Sequence, residues 1–346
     1  MSPTTALVQT ISRTALRTAL NTTSLLAPRL AGRAALAVSL RPVGRSGLRP
    51  GESELLADAR IGQLTVNGKS VVTHQWGDGS RPVLLVHGWE SRASRLGAFV
   101  TALREQGYSP VAFDAPAHGA SSGRDTSIAE YREIIGRLHA EHGGFEAVIA
   151  HSFGVLATFF ALRDGVEARR VVGIGGVAEF DWIIDGFCTL LGLRERIARD
   201  MRGHVERIMF PEEPDIWRRL NATYRPEEIG APVLLLHDEH DDRVPLDQSR
   251  ALARAYGESV RLVVTRGLGH RRILGDPEVV AAALDFVRDE RPHAVSSEPR
   301  VEPVVRVESV VRDEPVIRDE PVVRDEPGVR DAAPRPGSAV LRRGRP

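Results

Sequence analysis

Lysine is almost missing from this chain: of its 46 basic residues, Lys69 is the sole lysine and the rest are arginine. We read that excess as coding bias, not as a binding signal. Cysteine is equally scarce. Cys188 stands alone, which excludes an internal disulfide and a cysteine-based zinc cluster. No run of 18 apolar residues occurs, so no membrane-spanning helix is expected. Acidic residues are missing from the first 51 positions, which hold seven Arg. Residues 52–292 hold 29 basic and 36 acidic groups, a net of −7, and residues 293–346 hold ten of each. The formal net charge of zero therefore joins three unlike segments. A negative middle segment argues against nucleic acid as a partner, because a phosphate-tracking surface needs clustered positive charge.

Residues 1–57 read as a basic leader, either disordered or a targeting segment. Val8, Ile11, Ala15 and Ala19 share one side of a helical wheel, with Arg13 and Arg17 opposite. Such a helix suits weak contact with an anionic membrane surface, or a removable organelle signal. A cytoplasmic location is the expectation, with organelle targeting or peripheral membrane association as alternatives. At the other end, Val311–Val316, Ile317–Val322 and Val323–Gly328 repeat a six-residue V/I-R-D-E-P-V/G unit. A proline in every unit removes a backbone donor and disfavours helix before it, so residues 293–346 are expected to form a disordered polar tail.

Between the ends, residues 58–292 are long enough for one well-buried domain. Arg60–Asn67 and Ser70–Trp76 alternate and are joined by Asn67-Gly68, a strong hairpin signal. Short apolar runs follow at Pro82–His87, Tyr108–Phe113, Phe145–Ala150, Arg170–Ile174, Pro232–His237 and Ser259–Val264. Their continuity fits strands buried on both faces. Amphipathic stretches lie between them, as at Leu96–Glu105, Ser127–His142 and Val155–Arg163. The expected fold is α/β: a mostly parallel central sheet with helices on both faces. About 177–229 carries no strand signal but holds Trp182, Ile183, Ile184, Phe187, Leu190 and Trp217. A structureless loop of that length is rare in a compact domain, so a helical cap insertion is expected there.

The sharpest chemical signal is Ala150-His151-Ser152-Phe153-Gly154. An apolar strand ending in Ser, with Gly two places on, permits a tight strand-to-helix turn that projects the hydroxyl above the sheet. Such elbows usually read G-x-S-x-G; Ala150 replaces the first Gly, which is tolerable where φ stays negative. The competing reading of Ser152 is a simple helix N-cap. A nucleophilic serine needs a base, and the base needs an orienting carboxylate. Asp241 lies beyond the run at 232–237 and is the candidate acid, with Asp242 and Asp238 as alternatives. His270, after Gly267-Leu268-Gly269, is the candidate base. For an oxyanion hole the amide of Phe153 offers one donor and that of Trp89 the other, with Gly88 allowing close approach. His87 is expected to bridge loop carbonyls, and Asp114 and His118 to bond loop backbone; Gly154 gives the turn its room.

Taken together, AHSFG around Ser152, HGW at 87–89, FDAPAHGASSG at 113–123, HDEHDDRVP at 237–245 and GLGH at 267–270 resemble the α/β-hydrolase superfamily over about residues 65–290. The resemblance implies a serine hydrolase without a cofactor or metal, acting on a small acyl substrate, most simply a carboxylic ester. It leaves open a thioesterase, a serine aminopeptidase, and a non-catalytic ligand-binding or scaffold relative. A metal-dependent hydrolase is the rival from chemistry. His87, His118, His151, His237, His240 and His270 are numerous, yet no HExxH spacing occurs. Oligomeric state is not encoded in any of these signals.

Overall fold

The computed structural model describes residues 3–289 and 301–302, with side chains over 13–289. Helices α1 (Pro3–Leu26), α2 (Pro28–Ser39) and α3 (Glu52–Ala57) precede the sheet. Its strands are β1 (Arg60–Val66), β2 (Lys69–Gln75), β3 (Pro82–Val86), β4 (Ser109–Phe113), β5 (Ala147–His151), β6 (Val171–Ile174), β7 (Val233–Asp238) and β8 (Val260–Thr265), with a two-residue β9 (Val301–Glu302). Between and after them lie α4 (Gly97–Glu105), α5 (Ile128–His142), α6 (Phe153–Arg163), α7 (Phe180–Leu191), α8 (Glu195–His204), α9 (Ile216–Arg219), α10 (Leu246–Tyr256), α11 (Gly269–Arg272) and α12 (Pro277–Arg288).

The strand order is β1-β2-β4-β3-β5-β6-β7-β8-β9. Only the β1/β2 and β2/β4 pairs are antiparallel; every other neighbour is parallel. Asn67 (φ 48°) and Gly68 (φ 73°) make the first hairpin turn, as an Asn-Gly pair allows. The period-2 alternation of the strands divides the core. Leu84, Val86, Val148, Ala150, Val171, Val233 and Leu235 face α5, α6 and α10. Val83, Leu85, Ala147, Ile149, Val172, Leu234 and Leu236 face α4 and α12. Each such side chain is worth about 1.5–3 kcal/mol when fully buried, so both faces must be covered. Local signals close the helices: Ser127 caps α5, accepting from the Glu130 amide while its hydroxyl meets Glu130 Oε2 at 3.3 Å, and Asp276 caps α12 with Pro277 at its first position.

Residues between β6 and β7 form α7, α8, a π-helical turn at Val205–Met209, and α9. Residues 13–57 do not stand apart from the domain as a disordered leader. In α1 the inward stripe is Leu16, Leu20 and Ser24, while Ala15 and Ala19, expected on the apolar side, are exposed. Arg13 donates to the Leu190 carbonyl at 2.9 Å, and Arg17 packs at Gly192. The Leu residues carry the packed face because each removes more apolar surface from water than an Ala does. Among the described residues no helix is long and apolar enough to cross a membrane. The repeat tail lies outside the described residues apart from Val301–Glu302.

Candidate active site

Three strand ends converge on one rim of the sheet. Ser152 follows β5 and opens α6 with φ 56° and ψ −123°, a backbone conformation that a side-chain-bearing residue adopts only under strain. Its amide donates to the Ile174 carbonyl at 2.9 Å, which holds the turn. Ala150 sits inside β5 opposite Gly173 of β6 and is not among the positive-φ residues, so the missing first glycine of the elbow costs no backbone strain. A Cβ on Gly154 would fall 2.7 Å from the Val86 carbonyl oxygen, which explains glycine there.

Beyond β7, Asp241 is 1% exposed at its side chain. Its Oδ1 accepts from the Arg243 and Val244 amides, each at 2.8 Å, and its Oδ2 lies 2.7 Å from His270 Nδ1. Burial by itself raises the Asp241 pKa, but the bond from His270 and these amides outweigh it, and the net shift is downward. The ionised carboxylate can only accept, so Nδ1 donates in this bond, and in the neutral tautomer so fixed Nε2 is the nitrogen that carries the lone pair. His270 and Ser152, each 8% exposed, line the same cavity.

The two alternative acids are placed elsewhere. Asp238 is fully buried, and its carboxylate accepts from Thr265 Oγ1 (2.8 Å) and the Leu268 (3.0 Å) and His240 (3.0 Å) amides. It thus ties the loop that carries His270. Asp242 points to solvent, 77% exposed at its side chain, near Arg243. Sequence spacing alone left these three open because a shift of one residue along an irregular loop redirects the side chain.

Gly88 brings the β3 loop against the elbow. A Cβ there would lie 2.7 Å from Ser152 Cβ and 3.2 Å from Ser152 Oγ, so any side chain would displace the serine. The neighbouring Trp89 is half-buried, with its indole edge-on to Phe153 at 5.8 Å. Among the described residues neither the Trp89 nor the Phe153 amide is paired with a backbone carbonyl in a turn or loop bond. His118 fixes this loop: its Nε2 accepts from the Glu90 amide (2.9 Å), and its Nδ1–H donates to the Pro116 carbonyl (2.9 Å). Asp114, fully buried, accepts from the Ala93 and Ala120 amides at 2.8 Å each. His87 donates from Nδ1 to the Gly88 carbonyl (2.7 Å) and accepts at Nε2 from the Ala115 amide (3.0 Å), so one of its two expected carbonyls is an amide.

Sequence reasoning missed three contributors. His151 donates from Nε2 to the His270 carbonyl (2.9 Å), linking the elbow to the base's loop. His237, held by Ser249 Oγ (2.7 Å) and the Val244 carbonyl (2.9 Å), backs Asp241 at 3.5 Å. Arg45 donates to the carbonyls of Gly119 (3.0 Å), Gly123 (2.9 Å) and Ser121, so the N-terminal segment clamps the 113–123 loop. Nothing in the sequence pairs residue 45 with residue 121. Among the described residues no group of three or more His, Cys, Asp or Glu is arranged to hold a metal ion.

Burial pushes the pKa of both His87 and His151 down to about 3. In the unfolded chain each titrates near 6.5, so on acidification the unfolded state binds protons first. The stability due to keeping them neutral is complete above about pH 6.5 and is lost as pH falls below it, by about 1.4 kcal/mol per unit for each histidine. Thermal melts at pH 7.5 and pH 4.5 are expected to differ by many degrees, with the loss beginning near pH 6.5. A midpoint unchanged down to pH 5 would mean that neither imidazole is held neutral.

The sequence model of the alpha/beta hydrolase family matches residues 83–283, the stretch that supplies Gly88, Ser152, Asp241 and His270. The chain belongs to this family. A non-heme haloperoxidase of Rhodococcus erythropolis is 23% identical over 268 residues, which cover 63% of this hydrolase and 95% of the relative. An esterase of Pyrococcus furiosus superposes with a TM-score of 0.53 at 20% identity, over 72% of this chain and 96% of that one. A monoacylglycerol lipase of Paleococcus ferrophilus gives 0.50 at 23% identity, over 63% and 98%. At these identities the structural likeness speaks for the fold alone. The hydrolase carries α1 to α3 ahead of the family's stretch.

Proposed function

We propose that this hydrolase cleaves a carboxylic ester, or a related acyl compound, through an acyl-enzyme on Ser152. The observation that carries the reading is the Asp241–His270 contact of 2.7 Å behind an imidazole that shares one cavity with a strained, cavity-lining Ser152. The Ser152 hydroxyl attacks the carbonyl carbon as its proton passes to His270 Nε2. Asp241 stays ionised and steadies the imidazolium. The Trp89 and Phe153 amides stabilise the oxyanion, each donor being worth about 10²–10³-fold in rate, and the dipole of α6 adds to the second. The tetrahedral species then breaks its bond to the alcohol oxygen, which takes the proton from His270. Water, deprotonated by the same imidazole, releases the acid and restores Ser152.

A cavity of about 950 Å³ opens above Ser152. It is at the large end of the roughly 300–1,000 Å³ typical of small-molecule sites. Val177, Phe180, Ile183 and Phe187 give it an apolar wall, which favours a medium or large uncharged acyl group over a peptide. The test is active-site labelling. A fluorophosphonate is expected to modify Ser152 stoichiometrically and to stop hydrolysis of p-nitrophenyl esters, with chelator having no effect. Labelling elsewhere, or turnover that survives complete modification of Ser152, would dismiss the mechanism.

A further inference from the structure

The acyl pocket has a wall that the family's own stretch does not supply. Leu36, Ser39 and Leu40 of α2 and its C-terminal end line the same cavity as Ser152 and His270, facing it together with Phe187 and Leu190 of α7. These residues lie more than 40 positions ahead of residue 83, where the family match begins. We propose that the α1–α2 hairpin is the second half of the cap, and that its Leu36 and Leu40 set the acyl-chain length the enzyme accepts. The preferred substrate is then an uncharged ester of a medium or long aliphatic acid. The inference rests on the serine-hydrolase reading given above and adds the source of its selectivity.

Packing shows why the hairpin holds a fixed place. Ala31, Gly32 and Ala35 are buried on one side of α2, against α8. A Cβ on Gly32 would collide with Asp200 Cβ and fall 2.9 Å from the Asp200 carbonyl carbon, so the two helices touch backbone to side chain. Polar bonds fix α1 to the turn between α7 and α8. Asn21 Nδ2 donates to the Gly192 carbonyl (3.0 Å), the Arg194 amide donates to Asn21 Oδ1 (3.0 Å), and Arg196 donates to the Ser24 carbonyl (3.0 Å). At the far end the Thr126 amide donates to the Leu40 carbonyl (2.9 Å), and the Val43 amide to Glu90 Oε1 (2.8 Å), one residue from Trp89. The hairpin therefore bridges the cap and the loop that offers the oxyanion donor. An element held at both ends, with two leucines in the chamber, has the position and the chemistry to measure an aliphatic chain.

The experiment compares kcat/KM for p-nitrophenyl octanoate and acetate in the full chain, in Leu40→Trp, which fills the chamber, and in Gly32→Leu, which levers α2 from α8. Wild type is expected to favour octanoate, and the octanoate-to-acetate ratio is expected to fall at least about tenfold in both variants, since a misfit of a methylene or more costs a factor of about 10–200. Should Gly32→Leu fail to fold, Leu40→Trp decides alone, because Leu40 is half-buried and borders open space. Turnover with a ratio unchanged within twofold overturns this inference and leaves the hydrolase reading standing. So does a wild-type preference for acetate. Absence of all ester turnover, with no fluorophosphonate labelling of Ser152, overturns both.

Discussion

Ser152→Ala is expected to lower kcat for p-nitrophenyl esters by at least about 10³-fold, and towards 10⁶-fold where the acyl-enzyme is the sole route. The fold should stay intact. Ser152 accepts its place through backbone bonds, its amide to Ile174 and its carbonyl to the Val155 amide at 3.1 Å, and Ala keeps both. The unusual φ of 56° is the cost of aiming the hydroxyl at the cavity, of order 1–3 kcal/mol for such a conformation. Ala inherits that strain, so its melting point should match wild type within a few degrees, while Ser152→Gly sheds part of it. Calorimetry beside initial rates checks both halves. Full activity in a well-folded Ser152→Ala enzyme is the result the mechanism cannot survive.

The second large effect concerns the carboxylate. Asp241→Asn should reduce kcat by about 10³–10⁴-fold with little change in KM. An amide at 241 can still accept from the Arg243 and Val244 amides with its oxygen, which turns its NH₂ toward His270 Nδ1. Nδ1 must then accept, the proton moves to Nε2, and the imidazole can no longer take one from Ser152. Asp242→Asn should stay within about twofold of wild type, because that side chain is solvated. Stopped-flow and steady-state rates on the pair of variants decide between the two carboxylates. Loss in Asp242→Asn with retention in Asp241→Asn would reverse the assignment.

Much of the fold was legible because its signals are local. Strands such as Val83–Val86 and Leu234–Leu236 are buried on both faces and so read as unbroken apolar runs, and their ends fell within a residue or two of those expected. Asn67-Gly68 announced its turn through side-chain chemistry that needs no distant partner, and the amphipathic period of Ser127–His142 announced a helix. The Ser152 elbow was legible for the same reason. The candidate acid was legible only to within the loop: Asp238, Asp241 and Asp242 are chemically alike, and their directions depend on a turn that Asp238 ties to Thr265 and Leu268, 27 and 30 residues away. His151 as a strut for His270 was invisible, since its acceptor is a backbone carbonyl 119 positions on.

The N-terminal segment marks the other limit. Its Ala-, Arg- and Leu-rich composition describes a leader as readily as a packed hairpin, because small residues such as Ala31 and Gly32 have no preference until a second helix lies against them. Local sequence determined which segments became strands and helices, and where the serine turn stands, because backbone propensity and apolar period act within a few residues. Tertiary structure alone decided that Leu36 and Leu40 border the cavity and that Asp241 meets His270. Those pairings depend on which surfaces exclude water from one another, and that is settled only when the whole chain has packed.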